Sequence, residues 1–317
     1  MTDREATGVD KVVWPDGKRF AFTIFEDPDA LQLSESQEVY GFLSDLGFRT
    51  TVGVWTVEPG EARRNSKGET CENAAYRAWI QELQQRGFEV GLHSIGPGSL
   101  TRSEIVDGLA RFRDYFGGDP VTMANHYNAD AMYWGPARLD GFSRAIYHAA
   151  TLGRQRGRFA GEHEGHPSFW GDLCQAHVRY CRNFVFRELN TLKVCPMMPY
   201  HDPDRPYVKH WYASSEASNL PRFLECVNDA TLDQLEEEGG AAIIYTHFGH
   251  HYFDSGALDA RFKAIMTRLS RRNGWFVPAK QLLGHLETQG RGRDIPRALR
   301  DRLARQWLWQ KLRHGTS

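Results

Sequence analysis

The chain has 317 residues, 41% hydrophobic and 25% charged, the balance of a soluble globular protein with a full core. A formal net charge of −1 gives no global field for nucleic acid, and no run of about 18 apolar residues could span a membrane. The five cysteines (Cys71, Cys174, Cys181, Cys195, Cys226) are odd in number and lack CxxC spacing, which argues against a disulfide framework or a zinc knuckle and for reduced cytosolic thiols.

Residues 1–18 are polar and lack the apolar stretch of a signal peptide, so a cytoplasmic location is expected. Residues 19–25 form an apolar run, read as a strand, that ends in Glu26-Asp27. Ser34 and Gln37 fit a capping box for a helix with Val39, Phe42, Leu43 and Leu46 on one face, stopped by Gly47. Residues 50–55 are the next strand. Beyond a polar loop, a helix carrying Trp79, Ile80 and Leu83 stops at Gly87, and a strand over 88–92 delivers His93. In α/β proteins that end of a strand is where ligands and catalytic groups collect.

Thr101 and Glu104 make another capping box, for a helix burying Ile105, Leu109, Phe112 and Phe116. A strand over 120–124 delivers Asn125-His126-Tyr127-Asn128. Residues 130–215 are rich in aromatics, Gly and Pro; helices are expected near 136–155 and 172–189, with long loops over the site. An acidic helix follows around 222–238, and the apolar strand 241–245 delivers Thr246-His247. A helix at 257–272, a short strand at 275–277 and a helix at 279–288 complete the alternation. Repeated βα units imply parallel strands with right-handed crossovers, and about seven of them favour a barrel over an open sheet.

The order of these signals resembles the polysaccharide deacetylase superfamily (NodB homology, carbohydrate esterase family 4), over about residues 19–288. That family's first motif, Thr-Phe-Asp-Asp-Gly-Pro, is met here by Phe25-Glu26-Asp27-Pro28-Asp29. Its second, His-Ser/Thr-x-x-His after a strand, is met by His93-Ser94-Ile95-Gly96-Pro97. Its last, a histidine after an apolar strand, is met by Ile243-Ile244-Tyr245-Thr246-His247. The segments Tyr133-Trp134-Gly135, Phe169-Trp170-Gly171-Asp172 and Pro199-Tyr200-His201 look like a branch met in O-antigen biosynthesis clusters.

The resemblance implies a distorted (β/α)7 barrel and a metal-dependent hydrolase that removes an acyl group, N-acetyl for most of the family, from a sugar or glycan precursor. Glu26 stands where the family has its base aspartate, and Pro97 stands where its second metal histidine should be. Either His126 replaces that ligand from the neighbouring strand, or the metal is lost. The implied site is Glu26 as base, His247 as acid, and Asp27, His93 and His126 around a divalent metal such as Zn2+. Asn128, Trp134, Trp170, Asp172, Tyr200 and His201 are the expected sugar contacts. Glu26 and Asp27 can face one site only if the strand breaks at Pro28, because side chains alternate along a strand. The loss of a ligand at Pro97 also keeps open a metal-free C–N hydrolase like the allantoinase relatives, and a carbohydrate-binding pseudoenzyme.

Other residues admit plainer readings. His250 and His251 read as surface histidines, and Gly165 and Pro167 break the helix that His163 and His166 would need to share a ligand face. Trp134, Trp170, Tyr200, Tyr207 and Trp211 could stack on sugar faces or pack the core. Residues 291–317 form a basic tail beyond the 1–290 barrel, with eight Lys/Arg against two Asp, or +6, leaving −7 for the rest. Its stripe of Leu299, Leu303, Trp307, Leu308 and Leu312 opposite arginines suits a helix lying on an anionic membrane surface, or one docked on its own barrel.

Overall fold

The computed structural model describes residues 11–315. Strands β1 (Phe20–Glu26), β2 (Thr51–Val54), β3 (Glu89–His93), β4 (Thr122–Ala124), β5 (Tyr180–Phe186), β6 (His210–Glu216) and β7 (Ala241–Thr246) pair in sequence order, all parallel. Pairing of β1 with β7, from Ala21 opposite Ala241 to Glu26 opposite Thr246, closes them into the expected (β/α)7 barrel. The closure is distorted: β2 meets β1 only at Phe25 and Glu26, while Phe20 to Phe22 pair with a later strand, Gly274–Phe276. That strand is β10; β8 (Phe253–Asp254) and β9 (Ala257–Leu258) form a small antiparallel pair beside the barrel.

Helices α1 (Leu33–Asp45), α2 (Ala74–Gln85) and α3 (Arg102–Phe116) follow β1, β2 and β3. Thr101 and Glu104 cap α3 as expected, and left-handed Gly117 ends it. The box on α1 is instead Gln32 with Glu35, because the helix starts at Leu33, two residues before the expected first turn. Beyond β4 come α4 (Gly141–Ala150) and α5 (Gly171–His177). The helix expected over 172–189 stops at His177, and β5 follows, with all of its residues buried. Val185 and Phe186 continue an apolar strand pattern that the helical reading overrode. After β5 come α6 (Thr191–Val194), then α7 (Leu220–Cys226) and α8 (Asp229–Glu238), which divide the single helix expected over 222–238. Asn228 makes the division by capping α8, its side chain accepting from Thr231. Helices α9 (Ala260–Ser270) and α10 (Ala279–Thr288) flank β10.

The last helix, α11 (Arg297–His314), docks on β5 and α4. Leu299, Leu303, Trp307 and Leu308 are buried in the same apolar core as the barrel strands. Arg300 is buried against Asp202, at 2.9 Å, and Asp204; Gln306 and Gln310 both donate to Glu188. The face expected to meet an anionic membrane is therefore occupied by the barrel, which corrects that reading: docking removes the apolar area that interfacial binding needs. No helix among the described residues is long and apolar enough to cross a membrane. All five cysteines are buried and free.

Candidate functional site

Strand alternation settles which carboxylates enter the barrel. Phe25 and its register partner Tyr245 both lie under the Arg182 guanidinium, 5.5 and 4.4 Å from it. Glu26 has the opposite parity and turns out toward α1, where the Tyr40 hydroxyl donates to it at 3.2 Å. Its carboxyl is fully buried and its pKa is raised well above the ordinary 4.5, by burial first and by the charge of Asp27 second. The expected role of Glu26 as base is corrected by its placement: it faces away from the other groups, toward Tyr40 on α1.

Asp27, one residue on, has inward parity, with its backbone N–H held by the Thr246 carbonyl at 2.8 Å. Arg182 grips its carboxylate with two nitrogens, one at 3.0 Å. Sequence placed Asp27 among metal ligands; Arg182 bonds both of its oxygens, and Nδ1 of His93 lies 3.5 Å from one of them. Asp29 stands with the histidines instead. A turn from Pro28, closed by the Leu31 N–H at 3.2 Å and passing through Ala30 at φ +62°, carries it there. The loop after β7 packs against this turn, and Gly249 permits the approach: a Cβ there would lie 2.5 Å from the Ala30 carbonyl carbon.

Asp29, His93 and His126 offer one donor atom each, all within 4.8 Å of one another. Nε2 of His93 lies 3.2 Å from one Asp29 oxygen, and Nε2 of His126 lies 3.1 Å from the other. Among the described residues no protein group makes a hydrogen bond to either His93 ring nitrogen or to Asp29 Oδ2, although all three atoms are buried. The residue expected to fill the place of Pro97 is thus at hand, delivered by the next strand. Asn128 is not a sugar contact. Its Nδ2 donates to the Gly96 carbonyl, which turns its Oδ1 to His126 Nδ1 at 3.0 Å. With Nδ1 directed at Asn128, Nε2 is the ring nitrogen turned toward Asp29 and His93. Burial works to raise the Asp29 carboxyl, but the two histidines outweigh it and hold it well below the usual range. Burial pushes the His93 imidazole down, toward the neutral form that ligates.

His247 closes the other side. Its Nδ1 donates to the Ser218 carbonyl at 2.8 Å, and its Nε2 lies 3.6 Å from Asp29 Oδ2 and 3.2 Å from the Tyr245 hydroxyl. The half-buried His250 ring lies 4.6 Å from it, tilted by 43°, and His251 is exposed. His163 is exposed and contacts only Glu162 among the acidic groups, so it joins no cluster.

These groups line a cavity of about 360 Å³, walled by Trp134, Arg138, Tyr147, Gln155, Trp307 and Lys311. Of the rings expected to stack on sugar, Trp134 alone lines it. Trp170 is fully buried, its indole N–H given to the Asp130 carbonyl at 2.7 Å. Tyr200 accepts from Asn183 inside the core, and Trp211 is buried beside Tyr133. Tyr207 bonds to Glu164 at the surface. Asp172 pairs with Arg102 on the outer face, and His201 pairs with Asp294. Trp170, Asp172, Tyr200 and His201 are therefore corrected from sugar contacts to scaffold or surface residues. Sequence reasoning missed Asp29, Arg138, Arg182, Trp307 and Lys311. For Asp29 the signal was present, a third acid three residues past the strand; for the others it was not.

No family model matches the chain, and neither does any curated protein. Solved structures do. A protein assigned as a polysaccharide deacetylase from Mycobacterium smegmatis is similar at 14% identity over 90% of this chain and 96% of that one, with a TM-score of 0.51. Puue allantoinase follows at 12% identity, 87% and 92% coverage and a TM-score of 0.49. A protein assigned as a polysaccharide deacetylase from Pseudomonas aeruginosa PAO1 gives 14%, 87%, 93% and 0.46. The likeness is one of fold: this chain shares the distorted, closed seven-stranded parallel barrel of the first of these structures.

Proposed function

We propose that the cavity hydrolyses the amide of an N-acylated sugar, with a divalent metal such as Zn2+ held by Asp29, His93 and His126. The observation that carries this reading is the convergence of three buried ligand atoms, two of them without protein hydrogen bonds, beside the Asp27 carboxylate and a histidine. Two histidines and one carboxylate are a ligand set for zinc or a similar transition metal, and three protein ligands leave coordination positions open, as a catalytic site requires. A divalent ion there supplies Lewis acidity toward the acyl carbonyl and makes water easier to deprotonate.

The chain's own residues supply the proton transfers. Asp27 takes the proton of the attacking water, and Arg182, bonded to both carboxylate oxygens, fixes its orientation inside the barrel. His247, with its Nδ1 proton committed to Ser218, can carry a second proton on Nε2 and deliver it to the departing amine. The N-acetyl group and an O-antigen-type glycan precursor are the finer parts of the proposal; they rest on the resemblance of the motifs around Glu26, His93 and His247 and of the segments at Trp134, Trp170 and Tyr200. Metal analysis of protein purified without chelator, followed by acetate release from N-acetylated sugars, tests the reading. About one equivalent of metal, and activity lost on chelation and restored by zinc, is expected. Full activity without metal would exclude the ligand role.

A further inference from the structure

Four arginines are buried among the described residues: Arg138, Arg182, Arg205 and Arg300. Three have carboxylate partners, Arg182 with Asp27, Arg205 with Asp202 and Asp140, and Arg300 with Asp202 and Asp204. Arg138 has no carboxylate on its buried Nε or Nη2 among the described residues, although it is only 2% exposed. It lines the cavity that holds Asp29, His93 and His126. Its guanidinium lies over the Trp134 ring, 3.3 Å from the centroid, with the Trp307 ring at 5.0 Å.

That arrangement leaves a definite requirement. Indole faces attract the charge of a guanidinium through its π face, but they do not accept from its in-plane N–H groups. Nε and Nη2 of Arg138 are buried and find no protein acceptor among the described residues. The cations around it sharpen the point. Lys311, from α11, lines the same cavity with its ammonium 5.4 Å from the Trp307 centroid, and Arg182 stands beyond with its charge already matched. Burial lowers Arg138 to about 9, the direction expected for a cation taken out of water, and Lys311 to about 8. An unpaired buried cation persists where something outside the chain completes it.

We propose that the substrate is an acidic N-acylated sugar, whose carboxylate or phosphate is received in the plane of the Arg138 guanidinium with Lys311 beside it. This rests on reading the same cavity as the site of amide hydrolysis. A planar fork of N–H donors suits a carboxylate or phosphate in two-point contact, and the indoles fix the plane in which the acid must approach. The cavity then has two poles: the Asp29–His93–His126 group for the acylamino end, and the Arg138–Lys311 pair for the acid. The C-terminal helix supplies half of the second pole.

The test uses the full chain and three probes that share an acetamido group: N-acetylglucosamine, N-acetylglucosaminuronic acid and N-acetylglucosamine 1-phosphate. Calorimetry measures binding and acetate release measures hydrolysis. At least one acidic probe should bind about tenfold or more tighter than the neutral sugar, the worth of one hydrogen-bonded charge pair. The probe that is preferred identifies the acid as the ring carboxylate or the anomeric phosphate. Lys311→Met, at the cavity rim, and Arg138→Met should each collapse the ratio toward one, and Arg138→Lys should keep part of it. Equal binding of all three probes overturns the proposal, as does a preference that survives both Met substitutions. Acetate released equally well from neutral and acidic probes also overturns it, while leaving amide hydrolysis standing. Tight acidic binding with no acetate from any probe does the reverse.

Discussion

The strand ends of β1, β3 and β4 and the wall built from residues 133–155 with α11 face one another across a single cavity, but different forces hold them. His93 ends β3 and is paired in register with Ala124; the next N–H, of Ser94, bonds the Ala124 carbonyl at 2.8 Å. Ser94 Oγ in turn accepts from the His126 backbone at 2.8 Å. His93 and His126 therefore move only if the ladder moves, while Asp29 is held by its turn. Trp134, Arg138, Trp307 and Lys311 have no ladder. They are placed by ring stacking, such as Tyr147 on Trp307 at 5.9 Å and 20°, and by the Arg300 and Gln310 contacts of α11. The comparison teaches that the reacting groups belong to the fold itself, whereas recognition is carried by parts laid over it. Changes on the two sides should therefore separate turnover from selectivity.

The largest effect should come from the ladder side. Replacing Asp29, His93 or His126 by Ala should abolish metal binding and lower turnover by about 10³-fold or more, since the ion supplies several kcal/mol of charge stabilisation. Elemental analysis and acetate release check it together. A His126→Ala protein that keeps its metal would return the third ligand to another group. Next comes Asp27→Asn, which should lower turnover about 10²- to 10⁴-fold with metal content unchanged, as loss of a general base requires. The matching change Arg182→Met should instead destabilise the fold by about 3–5 kcal/mol in urea, because it leaves Asp27 buried without its partner. If Asp27→Asn lost its metal, the division of labour between Asp27 and Asp29 would be reversed.

A smaller effect is expected where the two regions are only indirectly linked. Asn128→Ala frees the His126 ring to rotate and should weaken metal affinity about 10- to 100-fold, read by competition with a chelating dye. On the wall side, Leu303→Ala should lower stability by about 2–5 kcal/mol through a cavity under α11. It should raise KM more than it lowers kcat, since no reacting group moves with the helix. An equal loss in kcat would show that the wall also positions the chemistry.

Much of the ladder side was legible from the chain alone. Gly87, and Thr101 with Glu104, bracket helices whose ends fix where the next strand starts, so His93, His126 and His247 could be placed at one rim. The exchange of Asp27 for Asp29 could not be read, because it depends on Ala30 adopting φ +62° and on which carboxylate Arg182 captures from β5. Arg182 itself lay in a segment expected to be helical. The wall was least legible. Nothing local in Trp134 or Arg138 announces that Trp307, far along the chain, will lie against them. The apolar stripe of α11 was visible, but a stripe does not say what covers it.

The smallest effect, and the one that separates two adjacent carboxylates most sharply, concerns Glu26. It is buried against α1 with one oxygen lacking a partner, and burial and the Asp27 charge raise its pKa well above 4.5. The native state therefore keeps a proton that the unfolded chain releases near 4.5. Below that pH both states are protonated and Glu26 adds no slope. Above it the native state binds more protons than the unfolded state, so stability falls as pH rises toward the native pKa, by up to about 1.4 kcal/mol per pH unit. Glutamine cannot ionise, yet its carbonyl still accepts from Tyr40. Glu26→Gln should therefore match the parent in urea at pH 4 and exceed it at pH 7, with turnover changed less than about twofold, since no reacting atom is touched. A fall in turnover of two orders of magnitude, with stability unchanged across that range, would make Glu26 the base and Asp27 a structural partner of Arg182.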